Sequence, residues 1–453
     1  MNKPPVFEDH IAPLEAVIAA ARAAGASSAD AMIADDSSLS VGIRIGKMEK
    51  CEQSGSKALG LRVFVGRQSA TISTNDLQSV NARDLAERAV TMAKAAPADE
   101  FSGLADADQL ATEEVQIDSV DPDFALDAAE LQRWCEEAEG AALAMEGITN
   151  SEGAEAGAGA YRSTLMTSNG FAGSRASTSY SFSASVLASS ADGRMVTDYD
   201  YSSAIYRGDL RAPEAVGRRA AERALAMRGA DAVETMKDVS VIFDRRISSS
   251  MLGHLLSAIN GSAVALGRSY LAGKLGEKIF SDAITILDEP HLPRGLRSRP
   301  FDAEGLPTRP AAIVEKGVLK SYILNLHSAR QLKLAPTGHG ARGVGSQPGA
   351  SASNLALLPG ALSPEELRRD IKRGIYVTEF IGYGPNIITG DYSRGIAGFL
   401  IENGELTRPI TEVTIASTMP HIFREMVAAS DLVREFGIDS PTIRVDGMTL
   451  AGR

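Results

Sequence analysis

The chain has 453 residues, against about 100–200 for an ordinary domain, and 44 % of them are hydrophobic, so more than one packed core is expected. A formal charge of −12 without any Lys/Arg cluster argues against a nucleic-acid binder, because phosphate recognition needs clustered cations. Two cysteines far apart, Cys51 and Cys135, exclude a disulfide framework or a zinc knuckle and fit a reducing compartment.

Along the chain, Met1–Asp9 offers no apolar signal core, and no stretch approaches the ~18–20 apolar residues of a membrane span. A cytoplasmic protein with no membrane contact is expected. Leu14, Val17, Ile18 and Ala21 recur at helical spacing before Gly25. A short strand at 31–34 and an alternating one at 39–45 follow, then a strand pair over 60–72 turning at Gly66-Arg67. Asn81 caps a helix that turns Leu85, Ala89 and Met92 to one face. The acidic run between Asp106 and Asp123 reads as a solvated connector. A helix over 127–145 buries Leu131, Trp134 and Leu143. The Ser/Thr/Ala/Tyr-rich run 157–204, with Asn169-Gly170 and Asp192-Gly193 between its extended pieces, predicts antiparallel hairpins with a polar face. A helix over 213–227 closes the first half, with Pro213 at its start and Gly229 past its end.

A boundary near Met236 divides residues 1–236 from 237–453. The second half opens with a strand at 239–243 and a helix at 248–258. A hairpin over 309–325 turns at Lys316-Gly317. Ser363-Pro364-Glu365-Glu366 starts a helix with a capping box, and that helix is expected to end near Gly374. Strands at 375–381, 395–402 and 412–416 follow, with a turn at Asn403-Gly404. There is no repeat of about 20–50 residues that would indicate a solenoid.

Catalytic patterns are few. HExxH, in which two histidines one helical turn apart hold zinc, does not occur, and no two of the six histidines lie within five residues of each other. His254 comes nearest, on a helix, with Leu255 where a glutamate would activate water. It is either a structural histidine or one that touches ligand. GxSxG is missing too, since Asp391 stands where the first glycine belongs in Asp391-Tyr392-Ser393-Arg394-Gly395. Ser54 and Lys57 satisfy SxxK at chance level. Gly343-Val344-Gly345-Ser346-Gln347-Pro348 ends in proline where a dinucleotide loop needs glycine, so it reads as a loop. Both cysteines read as packing residues.

Two polar stretches stand out. One is Ser298-Arg299-Pro300-Phe301-Asp302-Ala303-Glu304-Gly305. The other, Ile388 to Gly395, sets a carboxylate, a phenol, a hydroxyl and a guanidinium between glycines. It reads either as a strand connection in which Asp391 pairs with Arg394, or as a loop that binds peptide backbone or termini.

These residues also carry a resemblance. Gly253-His254-Leu255-Leu256-Ser257-Ala258-Ile259, Pro300 to Gly305, Thr337-Gly338-His339, Thr389 to Gly395 and Phe399 to Glu405 together resemble the TldD/PmbA family, and most closely its PmbA branch, also called TldE. Ala58-Leu59-Gly60-Leu61-Arg62-Val63 and the order of elements extend the likeness to nearly the whole chain. The resemblance implies an α+β protein, with helices on a mixed sheet in an N-terminal α/β domain and a largely antiparallel, curved, barrel-like sheet in the C-terminal domain. It implies a heterodimeric zinc peptidase in which the TldD-like partner supplies an HExxxH helix and a distant cysteine. Short or unfolded peptides would be the substrate, in leader-peptide removal and antitoxin degradation. On the matching helix Leu255 follows His254 and Ile259 takes the place of the second histidine, while both cysteines lie in the first half. The expectation is therefore a metal-free chain with no catalytic residue of its own, with zinc in the partner subunit. His254, Asp391, Tyr392, Ser393 and Arg394 would face substrate or partner. The alternative is a stand-alone peptide-binding or modulator protein, as a homodimer.

Overall fold

The computed structural model describes residues 10–77, 81–191 and 193–453. The reading of Met1–Asp9, and Asp192 of the second hairpin turn, lie outside the described residues.

The first half is one six-stranded sheet with helices on one face. Helix α1 (Ile11–Ala23) buries Leu14, Val17, Ile18 and Ala21 and stops before Gly25, whose φ of 104° a side chain would strain. Strand β1 (Ser28–Arg44) joins the two short strands expected at 31–34 and 39–45. Asp35 to Ser38 does not break it, because ladders to β2 (Lys47–Val65) and β4 (Ile148–Thr167) hold both of its edges. Strand β3 (Gln68–Thr74) precedes α2 (Ala82–Ala95), which Asn81 caps by accepting from the amides of Arg83 and Asp84. Met92 is 48 % exposed, against expectation; Ala86, Val90 and Ala93 share the buried stripe with Leu85 and Ala89. Helix α3 (Ala128–Leu143) buries Leu131 and Trp134, while Leu143 is only half-buried.

Strands β5 (Ala172–Ser189) and β6 (Met195–Ala204) and helix α4 (Pro213–Ala226) complete this half. The order is β3-β2-β1-β4-β5-β6, and every pairing is antiparallel. The expected mixed character is not found here, because tight turns at Ile45-Gly46, Gly66-Arg67 and Asn169-Gly170 reverse the chain between neighbours. Ala154, Ala156, Ala158 and Ala160 alternate along β4 and face inward, leaving room for Trp134 beside Tyr180 and Phe182. The acidic connector is not solvated throughout. Leu110 is buried, and Asp121, 5 % exposed, accepts from the amide of Arg207.

The second half contains β7 (Met236–Phe243), α5 (Arg245–Ala258), α6 (Gly261–Ala265), β8 (Ile286–Asp288), β9 (Ala311–Glu315), β10 (Val318–Leu319) and α7 (Leu326–Leu332). After these come β11 (Gly340–Ala341), β12 (Gly349–Ala350), β13 (Leu355–Leu357), α8 (Pro364–Arg368), β14 (Arg373–Ile381), β15 (Asp391–Glu402) and β16 (Glu405–Thr418). Helix α9 (Met419–Glu425), β17 (Val427–Ala428), β18 (Ile438–Asp439) and β19 (Ile443–Ala451) end the chain. Strands β16-β15-β14-β7-β19 run side by side, and β19 pairs back onto β16, closing a five-stranded barrel. Its one parallel pair is β7 with β14; the long connection between them permits the crossover. A second sheet runs β10-β9-β8-β13-β18. Both share a core in which Val241, Phe243, Leu255, Ile313, Leu355, Ile375 and Ile415 are fully buried. Helix α8 has the expected capping box but ends at Arg368, because the turn at Asn403-Gly404 takes the carbonyls of Ile371 and Lys372. The fold is α+β, with the barrel in its C-terminal part. Among the described residues no helix is long and apolar enough to cross a membrane.

Candidate functional site

Helix α5 leaves β7 directly. Asp244 caps it by accepting from the amide of Arg246, and also accepts from Tyr376 Oη at 2.6 Å. Ser248, Met251, Leu252, Leu255 and Ala258 form the stripe that the helix buries. His254 lies beside that stripe, with its ring 6.1 Å from that of Tyr392 in an edge-on arrangement.

The segment expected to be a loop from Ile388 to Gly395 is half strand: Asp391 to Arg394 are the first residues of β15, paired to β16 from Thr418 to Ile415. Strand alternation then decides the site. Tyr392, 1 % exposed, and Arg394 face the same way as His254, whereas Asp391 and Ser393 are exposed. Asp391 cannot pair with Arg394 from the opposite face; it accepts from Thr389 Oγ1 at 2.7 Å instead. Arg394 lies over the Phe380 ring at 4.1 Å. Of the five residues singled out, three therefore converge and two stand at the surface beside them.

Sequence reasoning missed the cover of this cluster. Residues 382–390 fold over it, with Tyr270 N–H donating to Ile387 O and Met419 N–H to Gly390 O. A Cβ on Gly384 would lie 2.7 Å from His254 Cε1, so only glycine lets the segment approach the imidazole this closely. The glycine spacing in Gly382-Tyr383-Gly384-Pro385 was the available signal. Tyr383 is 96 % exposed and Ile388 58 %, so the cover presents two large apolar side chains beside the exposed Asn386 and Thr389.

Beneath it, His254 Nε2, Tyr270 Oη, Tyr392 Oη and Arg394 Nε are buried without a hydrogen-bond partner of normal geometry. Burial, and then the charge of Arg394, bring the His254 pKa down to about 4, so the imidazole is neutral at pH 7. Burial raises the Tyr392 phenol, with Arg394 opposing. The cluster can donate hydrogen bonds to a carbonyl or carboxylate, but it holds no carboxylate to act as a general base. It does not suit zinc either. Leu255 and Ile259 are both fully buried in the aliphatic core, and among the described residues no three His, Cys, Asp or Glu side chains are grouped to hold a metal ion. Cys135 is buried, with its thiol pushed up to about 12 by burial, and Cys51 is exposed on β2 rather than packed.

In the stretch from Ser298 to Gly305 the two carboxylates are structural. Asp302 accepts from the amides of Glu304, Leu306 and Gly340, and Glu304 accepts from the amide of Leu326 at the start of α7. Burial, with Asp302 adding to it, pushes Glu304 up to about 7.

Compared with known proteins, the chain matches three models of the PmbA/TldA metallopeptidase: domain 1 over residues 29–93, the central domain over 120–228 and the C-terminal domain over 236–452. It is 34 % identical to the metalloprotease PmbA homolog of Haemophilus influenzae, covering 95 % of this chain and 93 % of that protein. It is also 34 % identical to metalloprotease PmbA of Escherichia coli O157:H7, over 94 % and 92 %. Among solved structures, a protein of Bacteroides thetaiotaomicron assigned as a candidate modulator of DNA gyrase superposes with a TM-score of 0.91 at 28 % identity, covering 99 % of this chain and all of that one. TldE from Thermococcus kodakarensis shares the fold, with a TM-score of 0.83 at 18 % identity over 97 % and 99 %.

Proposed function

The chain belongs to the TldD/PmbA metallopeptidase family, and on that premise we propose that it is the metal-free subunit of a two-protein zinc peptidase acting on short or unfolded peptides. Its partner would be a TldD-like protein carrying the zinc, and the pair would work in the cytoplasm. The observation that supports this most is the pair of fully buried aliphatic side chains, Leu255 on α5 and Ile259 at its C-terminal cap. A helix that commits both positions to the core has no room for ligands there, so water activation falls to another chain. This chain would contribute surface and hydrogen bonds. His254, Tyr392 and Arg394 offer donors to peptide carbonyls or a terminal carboxylate, and the exposed Asp391 and Ser393 flank the cover at Tyr383 and Ile388.

Zinc content and peptidase activity test this, measured on the chain alone and after mixing with a TldD-like subunit from the same cell. Zinc and cleavage confined to the mixture support the proposal. Stoichiometric zinc with cleavage by the lone chain would overturn it. The same reading treats residues 1–236 and 237–453 as two domains; a fragment starting at residue 237 that folds by itself supports that division, and one that stays unfolded counts against it.

A second reading, a stand-alone peptide-binding or modulator protein, draws on the high structural similarity to the Bacteroides protein assigned to gyrase modulation. Undiminished peptide affinity in a strain without any TldD-like protein would favour it.

A further inference from the structure

Away from α5, the connector residues 115–120, strand β5 and residues 296–300 line a half-open cavity of about 460 Å³. Arg175, Arg297 and Arg299 line it, and no carboxylate does. Their hydrogen-bond partners are neutral. Arg175 Nε donates to Ser163 Oγ at 3.1 Å, Arg297 donates to Ser351 Oγ at 2.9 Å and to Ala352 O, and Arg299 donates to Ser351 O. Arg297 Nε and Arg299 Nε are buried and have no partner. Arg299 is 8 % exposed; burial brings its pKa down to about 10, with Asp288 opposing and Arg175 adding to the fall.

Three guanidiniums lining one pocket with no carboxylate in its wall, Asp288 and Asp302 acting on Arg299 only from behind it, are costly to maintain. A planar or tetrahedral oxyanion removes that cost, because guanidinium N–H groups match its oxygens in pairs. The rest of the wall includes Ile117, Leu296 and Tyr161, which suit an apolar body attached to the anion. We propose that this cavity binds an oxyanion, a carboxylate or a phosphate, carried on a small apolar group and held by Arg175, Arg297 and Arg299.

The test is calorimetric titration of the full-length protein with N-acetyl-leucine, N-acetyl-leucinamide and inorganic phosphate at millimolar concentrations. Saturable binding of the free acid, none of the amide, and a loss of about tenfold or more in Arg175→Gln/Arg297→Gln are expected, a tenfold loss matching one charge-assisted hydrogen bond. Binding of the acid alone identifies a carboxylate ligand, and tighter binding of phosphate identifies a phosphate. No saturable binding of either anion, or binding that the double variant leaves unchanged, overturns the proposal. Should the variant unfold, the unmodified protein still decides, since equal binding of acid and amide overturns it as well.

Discussion

Asp30 on β1 and Arg342, just after β11, form an ion pair at 2.7 Å in which each side chain is 2 % exposed. Arg62 on β2 donates to the same carboxylate, Nε to Oδ2 at 2.9 Å. Burial raises the Asp30 pKa, but Arg342 and then Arg62 outweigh it and hold the carboxyl below its ordinary range. One buried charge cluster therefore ties the first sheet to the second half of the chain. Replacing Asp30 with Ala leaves two buried guanidiniums without their anion, which costs about 3–5 kcal/mol. A clear drop in the urea midpoint is expected, and an unchanged midpoint would show that water reaches the cluster.

The acid side of the stability profile should report on His254. In the unfolded chain it titrates near its ordinary 6.5, and in the fold near 4. Below pH 6.5 the unfolded chain gains a proton that the folded chain refuses, so stability falls between pH 6.5 and 4 and is unaffected above. Across that window wild type is expected to lose about 3 kcal/mol more than His254→Gln. Parallel profiles for the two proteins would refute the depressed value.

Arg394→Ala should separate role from fold. The guanidinium contributes about 1 kcal/mol through Phe380, so the variant stays folded by circular dichroism. Peptide cleavage by the pair reconstituted with a TldD-like subunit is expected to fall about tenfold, the worth of one lost donor to a charged or desolvated acceptor. Full activity would reduce this end of β15 to scaffold.

Two helical glycines should respond in opposite directions. A Cβ at Gly217 in α4 would lie 1.8 Å from the Ala138 carbonyl oxygen of α3. Gly217→Ala is therefore expected to destabilise by about 1–3 kcal/mol through overpacking. At Gly140, exposed on α3, a Cβ meets nothing within 4 Å. Gly140→Ala should stabilise by up to about 1 kcal/mol from helix propensity alone. Thermal unfolding of both variants checks the contrast.

Local chemistry was legible in the residues themselves. The Asn81 and Ser363 caps, the hairpin turns at Gly66-Arg67 and Asn403-Gly404, and the buried stripe of α1 rest on neighbours a few positions apart, and each was readable before any contact was known. That Leu255 and Ile259 stand where the family resemblance implies polar groups was readable too, and the structure buries both. Long-range pairing was not. Whether Asp35 to Ser38 interrupts a strand depends on ladders from β2 and β4 that no local window contains. Whether Arg394 meets Asp391 or Phe380 depends on where β15 begins. The three arginines of the cavity, drawn from positions 175, 297 and 299, share no local pattern at all. Propensity and capping act over one turn of chain and are written in order. Strand register and the meeting of buried charges are set by which distant segments exclude water together, and only the tertiary structure decides that.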